Sequence, residues 1–176
     1  MKNLYIVGGP MGVGKTTVCQ LLKRELSKAV FLDGDWCWDM DPFQVTEETK
    51  GMVMENIAFL LNRFLRCSAY ENVIFCWVLH RQEIVDELLG KLDVENGAVS
   101  VRRFSLICGE AELERRLRRD IDSGLRQEDV IERSLSRLPL YDKVDAVKID
   151  VTDLSPEQTA ALICGMAVEE HAQVVI

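Results

Sequence analysis

Between the apolar run Lys2–Val7 and a helical pattern that begins at Lys15, the chain places GGPMGVGKTT, residues 8–17. The glycines and the proline end the strand and hold off the helix, because both residue types favour turns over continued regular structure. The spacing G-x-x-x-x-G-K-[ST] is met by Gly9, Gly14, Lys15 and Thr16. A loop with this spacing curls so that its backbone N–H groups point inward, and the helix behind it adds the partial positive charge of its N-terminus. Such a loop cradles phosphate oxygens. Gly9, Met11, Gly12, Val13, Gly14, Lys15, Thr16 and Thr17 are therefore the expected nucleotide-binding residues. Lys15 is expected to reach the β- and γ-phosphates of ATP and to act in catalysis, and the Thr16 hydroxyl to ligate Mg²⁺.

The rest of the chain alternates in the manner this motif requires. Apolar runs at Lys2–Val7, Ala29–Leu32, Val73–Leu79, Phe104–Cys108 and Ala146–Val151 read as five strands. The run VIFCWVL at 73–79 is continuously apolar, as in a strand covered on both faces. Helical spacing is seen over Lys15–Lys28, after Thr46, over Glu83–Leu92, over Glu110–Ile121 and over Glu128–Leu138. A last helix follows Ser155-Pro156-Glu157-Gln158, where an N-cap, a first-turn proline and a capping-box glutamine coincide. The expected architecture is a single α/β domain over 1–176. It is a three-layer P-loop NTPase fold with a five-stranded, mostly parallel sheet and helices on both faces.

Composition narrows the class. The net charge of −8 argues against nucleic acid as the main partner. No apolar stretch approaches the roughly 20 residues of a membrane span, so no membrane association is expected and the cytosol is the default compartment. Six cysteines show no C-x-x-C pair and are expected to be free thiols in a reducing environment. Nine of the thirteen arginines lie between Arg102 and Arg137, which gives an acidic protein one cationic segment.

Phosphate loops serve kinases, GTP switches, motors and transporters alike. A guanine-reading N-K-x-D is absent; Val147-Lys148-Ile149-Asp150 lacks the asparagine. The third strand runs into Leu79-His80 without the acidic residue of motors and transporters. Carboxylates stand instead after the second strand, in Leu32-Asp33-Gly34-Asp35. With the GPMGVGKT loop, this LDGD, the Arg-rich helix and the final strand–SPEQ helix, the whole chain resembles the shikimate, gluconate and adenylylsulfate kinases and chloramphenicol phosphotransferase. It matches no single member: Trp-Cys-Trp follows Asp35 where adenylylsulfate kinases commonly have Arg.

The resemblance implies the strand order 2-3-1-4-5 and a small Arg-rich lid over roughly 115–127, with Arg115 on the nucleotide and Arg119 and Arg126 clamping the transferring phosphate. Each of these arginines is also open to a plain surface-charge reading. It implies that Asp33 holds Mg²⁺ through water and that Asp35 orients the acceptor hydroxyl, either by positioning it alone or also as the base that deprotonates it. Thr152, in the loop after the last strand, would lie at the adenine edge. Ligands of open α/β sheets bind beyond the carboxyl ends of the strands, so Asp35, Trp36, His80 and Arg81 are the candidate acceptor-binding residues. Trp36 and Trp38 are suited to wall a planar or apolar acceptor, or to serve the core. His80 either meets the acceptor or caps its strand. The expected activity is an ATP-dependent kinase for a small-molecule or nucleotide acceptor, the alternative a nucleotide-binding regulatory module or slow ATPase.

Overall fold

The computed structural model of the chain describes residues 2–94 and 97–173. Five strands, β1 (Lys2–Gly8), β2 (Ala29–Asp33), β3 (Asn72–Cys76), β4 (Val99–Ile107) and β5 (Val147–Asp150), form one sheet of order β2-β3-β1-β4-β5. Every pairing is parallel. Helices α1 (Lys15–Glu25), α2 (Glu47–Arg66), α3 (Gln82–Gly90), α4 (Glu110–Asp122), α5 (Asp129–Arg137) and α6 (Pro156–Gln173) supply the crossovers and the covering layers.

The two-residue period of a strand divides the core between these layers. Tyr5, Val7, Ile74 and Cys76 point to the face covered by α1, α4 and α6, where they meet Val18, Leu22, Leu117 and Ile163. Leu4, Ile6, Val73 and Phe75 point to the other face and meet Val53, Ile57 and Leu61 of α2 and Leu88 of α3. Because both faces are buried, β1 and β3 read as unbroken apolar runs. The central strand β1 has β3 on one side and β4 on the other, and the chain order reverses there. The resulting crevice lies beyond the carboxyl ends of the strands, where the phosphate loop leaves β1.

Caps expected from sequence are formed. The Thr46 hydroxyl accepts from the Thr49 amide at 3.1 Å, and Thr49 Oγ1 accepts in return from the Thr46 amide at 2.8 Å. Ser155 Oγ accepts from the Gln158 amide at 3.2 Å while Gln158 Oε1 accepts from the Ser155 amide at 2.8 Å.

Of the boundaries that differ from the sequence reading, those of α1, β3 and β4 each have a local reason. Helix α1 ends at Glu25 rather than Lys28, because Lys28 turns to a left-handed φ of 46° and its carbonyl accepts from the Glu71 amide at 2.9 Å. Strand β3 stops at Cys76; the Trp77 amide still donates to the Val7 carbonyl at 3.2 Å, after which β1 turns into the loop and offers no further ladder. Strand β4 starts at Val99, five residues before the expected Phe104. Its first half carries arginines that leave the sheet plane: Arg102 donates to Asn3 Oδ1 at 2.8 Å and lies over the Tyr5 ring, and Arg103 pairs with Asp145 at 2.7 Å. These two arginines belong to the sheet and not to the cationic lid segment. Among the described residues, no helix is long and apolar enough to cross a membrane.

Candidate active site

The loop from Gly9 to Gly14 carries β1 into α1. Gly14 caps the helix at φ 102°, a backbone that side-chain-bearing residues rarely adopt, which is why the motif fixes glycine there. Lys15 follows and is buried. Its ammonium donates to the carbonyls of Gly9 at 2.8 Å and Pro10 at 2.9 Å, so the lysine ties the loop to itself. Burial pushes its pKa down, against the pull of the nearby Cys76, Asp35 and Asp33.

The second strand delivers the carboxylates. Asp33, buried at its end, accepts from the Thr16 hydroxyl at 2.6 Å through Oδ2 and from the Asp35 amide at 3.0 Å through Oδ1. The second bond caps a short 3-10 helix, Gly34–Trp38, and aims Asp35 out of the strand. Asp35 is accessible, yet the surrounding protein withdraws enough water from its carboxylate to raise its pKa. The charge of Asp33 raises it further, while Lys15, Arg126 and the nearby Trp77 side chain oppose the rise. A hydroxyl and a carboxylate side by side are hard oxygen donors of the kind Mg²⁺ takes, so Thr16 and Asp33 fit that ion.

Gly34 is required by packing. A Cβ there would lie 2.6 Å from Trp77 Cγ and 2.7 Å from Cδ1, inside the ring rather than at a flexible tip. Gly34→Ala is expected to destabilise the fold by about 1–3 kcal/mol, as overpacking does, and to displace the Trp77 ring. Chemical denaturation together with Trp emission tests it; an unchanged midpoint would show that the ring yields freely.

Two cavities flank the loop. One, of about 1000 Å³, is lined by Met11, Asp35, all three tryptophans and His80, with Phe43, Val45, Arg133 and Arg137 from other segments. The other, of about 220 Å³, is lined by Gly12, Val13, Gly14 and Thr17 of the loop, by Arg115, Arg116 and Arg119 of α4, and by Val151 and Leu154. The loop is thus the partition between them, with Met11 facing the larger space and Gly12–Gly14 the smaller.

Most residues singled out from sequence meet here. Among the four arginines of α4, Arg119 is exposed and has no ion pair among the described residues, whereas Arg115, Arg116 and Arg118 are paired within the helix. Arg126 donates to Asp120 at 3.1 Å and its charge reaches Lys15 and Asp35. His80 lines the larger cavity, with Nδ1 3.2 Å from the Val78 carbonyl, and burial lowers its pKa. Two candidates are not brought in. Arg81 is exposed at the start of α3 and lines neither cavity, and Thr152 is turned away, its hydroxyl accepting from the Gly109 amide at 2.9 Å and donating to Asp150. Its neighbours Val151 and Leu154 line the smaller cavity instead.

Arg116 was not distinguished from the other α4 arginines by sequence. It donates to Glu112, to the Val13 carbonyl at 3.0 Å and to the Val151 carbonyl at 2.8 Å, and so joins the loop to the turn after β5. Its i,i+4 spacing from Glu112 was the available signal, but Glu114 and Arg118 share it. Glu112 is clamped by Arg115 and Arg116, which hold its carboxyl down at about 2, against an ordinary value of 4.5. A depressed carboxylate contributes stability above its unfolded pKa and loses it as pH falls toward the folded one. Glu112→Gln is therefore expected to flatten part of the fall in melting temperature between pH 4.5 and about 2. Parallel slopes in wild type and variant would dismiss the clamp as a contributor.

All six cysteines are free, and the described residues contain no group of three or more His, Cys, Asp or Glu that could hold a metal ion by themselves.

A family model described as AAA domain matches residues 6–135. No curated protein matches the sequence. Solved structures do. The tunicamycin resistance protein of Deinococcus radiodurans is 19% identical, with 95% of this chain and 96% of that one covered at a TM-score of 0.65. A gluconokinase from Sinorhizobium meliloti 1021 is 18% identical, with 97% of each chain covered at a TM-score of 0.66. Shikimate kinase from Acinetobacter baumannii, in complex with shikimate, is 22% identical, with 97% of this chain and 94% of that one covered at a TM-score of 0.61. With its phosphate loop inside the matched span and its five parallel strands in the same order, the chain belongs to the AAA domain family and has the fold of the P-loop kinases.

Proposed function

We propose that the chain is an ATP-dependent kinase that transfers the γ-phosphoryl group to a hydroxyl of a small-molecule or nucleotide acceptor. One observation carries this reading: the phosphate loop separates two cavities, and Asp35 lines the larger of them. A module that only bound nucleotide would need one cavity beside the loop. A phosphotransferase needs two, meeting where the transferred group sits, with a carboxylate on the acceptor side.

The chain's own residues divide the work. Backbone N–H groups of the loop and the N-terminus of α1 hold the phosphates. Lys15 exchanges its two carbonyl partners for phosphate oxygens at little cost, since it is already positioned and desolvated. Thr16 and Asp33 would hold Mg²⁺, which when bound neutralises charge on the phosphates. Asp35 orients the acceptor hydroxyl and takes its proton. Arg115 and Arg119 border the nucleotide side, and Arg126 lies on the turn after α4, within electrostatic reach of Lys15 and Asp35. The segment 115–127 closes as a lid that excludes water. Free thiols throughout suit a cytosolic setting.

ADP release from Mg·ATP, measured against a panel of alcohols, nucleosides, nucleotides and sugars, tests the reading. A strong acceptor whose effect disappears in Asp35→Asn is expected. Slow ADP release indifferent both to every acceptor and to Asp35 would favour a nucleotide-binding regulatory module.

A further inference from the structure

All three tryptophans of the chain line one cavity. Trp36 and Trp38 come from the 3-10 helix after β2, and Trp77 from the turn after β3. Phe43 and Val45, from the connection into α2, complete the wall. The described residues leave eight large hydrophobic side chains exposed, and three of them, Trp36 (54%), Phe43 (63%) and Val45 (55%), converge here. Single exposed apolar groups need no explanation, whereas several on one concave surface mark a binding site. The rings are also held in place: Phe31 meets Trp36 edge-on at 5.3 Å, and Trp38 lies 5.8 Å from Phe43.

Size and chemistry select the ligand class. The cavity, about 1000 Å³, is at the upper end of the roughly 300–1,000 Å³ typical of drug-sized ligands. Asp39, Glu47, Lys50, Glu87, Arg133 and Arg137 share the lining, but a small polyol or sugar acid held at Asp35 would still surrender water to ring faces that return few hydrogen bonds. An aromatic ligand would instead gain offset and edge-to-face contacts in addition to buried area. The same wall reaches the reacting group, because Asp35 lines the cavity together with Trp36 and Trp77.

We propose, resting on the kinase reading above, that the acceptor is an aryl-bearing alcohol whose ring system lies against Trp36, Trp38 and Phe43 while its hydroxyl meets Asp35. In the transfer, a bond forms from the acceptor oxygen to the γ-phosphorus. The bond from that phosphorus to the bridging oxygen of ATP breaks, its electron pair leaves with ADP, and the hydroxyl proton passes to the Asp35 carboxylate.

The tryptophans provide the readout, since all three line this cavity and their emission, excited selectively over that of the three tyrosines, reports on it. The probes are 2-(2-naphthyl)ethanol and 4-biphenylmethanol, titrated against gluconate and glycerol without nucleotide, and then assayed for ADP release with Mg·ATP. Saturable changes in emission are expected with the aryl alcohols and not with the polyols. Binding should weaken about tenfold or more in Trp36→Ala and in Phe43→Ala, both exposed positions at which a cooperative melt and nucleotide-induced stabilisation confirm the fold. No saturable change with either aryl alcohol, or unchanged affinity in both variants, overturns the assignment. Stimulation of ADP release by a polyol alone overturns it too and leaves the kinase reading standing. Aryl-alcohol binding lost in the variants, but with no transfer to any acceptor, upholds the ligand class and removes the kinase reading.

Discussion

Lys15→Met is expected to lower phosphoryl transfer by about a thousandfold or more, the scale on which a preorganised charge at the transferring group acts, while the protein still folds. The side chain is buried and its ammonium is held by the loop carbonyls of Gly9 and Pro10. Two opposed effects follow from its removal. Losing a desolvated charge relieves a cost of several kcal/mol. Losing the donor strands two carbonyls, at about 1–3 kcal/mol each where water cannot reach them. Methionine has similar length and adapts to irregular space, so the net change in melting temperature should be small. The nucleotide response should not be small. Wild type at about a hundred times Kd of Mg·ATP gains roughly 2.7 kcal/mol of stability, and the variant should gain almost none. A variant that keeps both the thermal shift and the transfer would remove Lys15 from the phosphate site.

Asp35→Asn should separate binding from chemistry. The change keeps the shape of the side chain and the backbone bond from the Asp35 amide to Asp33, so the 3-10 helix and the floor of the site persist. It removes the charge that orients and accepts the hydroxyl proton. Transfer is expected to fall by about 10²–10⁴-fold, the usual contribution of a positioned acid or base, with the nucleotide-induced thermal shift retained. Fluorescence of the tryptophans should still report on acceptor entry, because the walls of the cavity are untouched. Equal loss of nucleotide binding would mean that Asp35, like Asp33, belongs to the phosphate and metal side.

What could be read before folding was what depends on near neighbours in the chain. The phosphate loop, the capping box at Ser155–Gln158 and the alternation of strand and helix are written within a few residues each, and the sheet order came with the resemblance they carry. LDGD could be read because both carboxylates and the end of a strand fall in four consecutive positions. The larger cavity could not be read in full. Its lining joins Met11, Trp36, Phe43, Trp77 and Arg137, whose common surface exists only once β2, β3 and α5 are brought together. Trp77 was hidden inside VIFCWVL, where an apolar residue serves a strand and a cavity wall equally well. Arg81 failed as a guide for the opposite reason: adjacency to His80 in sequence did not carry it past the start of α3 into the cavity. Arg137, which follows from no short motif, lines that cavity with no ion pair among the described residues.

The partition formed by residues 11–14 also fixes what steady-state kinetics should look like. With Met11 on one side and Gly12–Gly14 on the other, neither reactant has to pass through the other's chamber. Each can arrive first, both must be present together, and no side chain need carry the phosphoryl group between visits. Initial-rate lines for one reactant at fixed levels of the other should therefore intersect rather than run parallel, with each product competing most directly against the reactant whose chamber it shares.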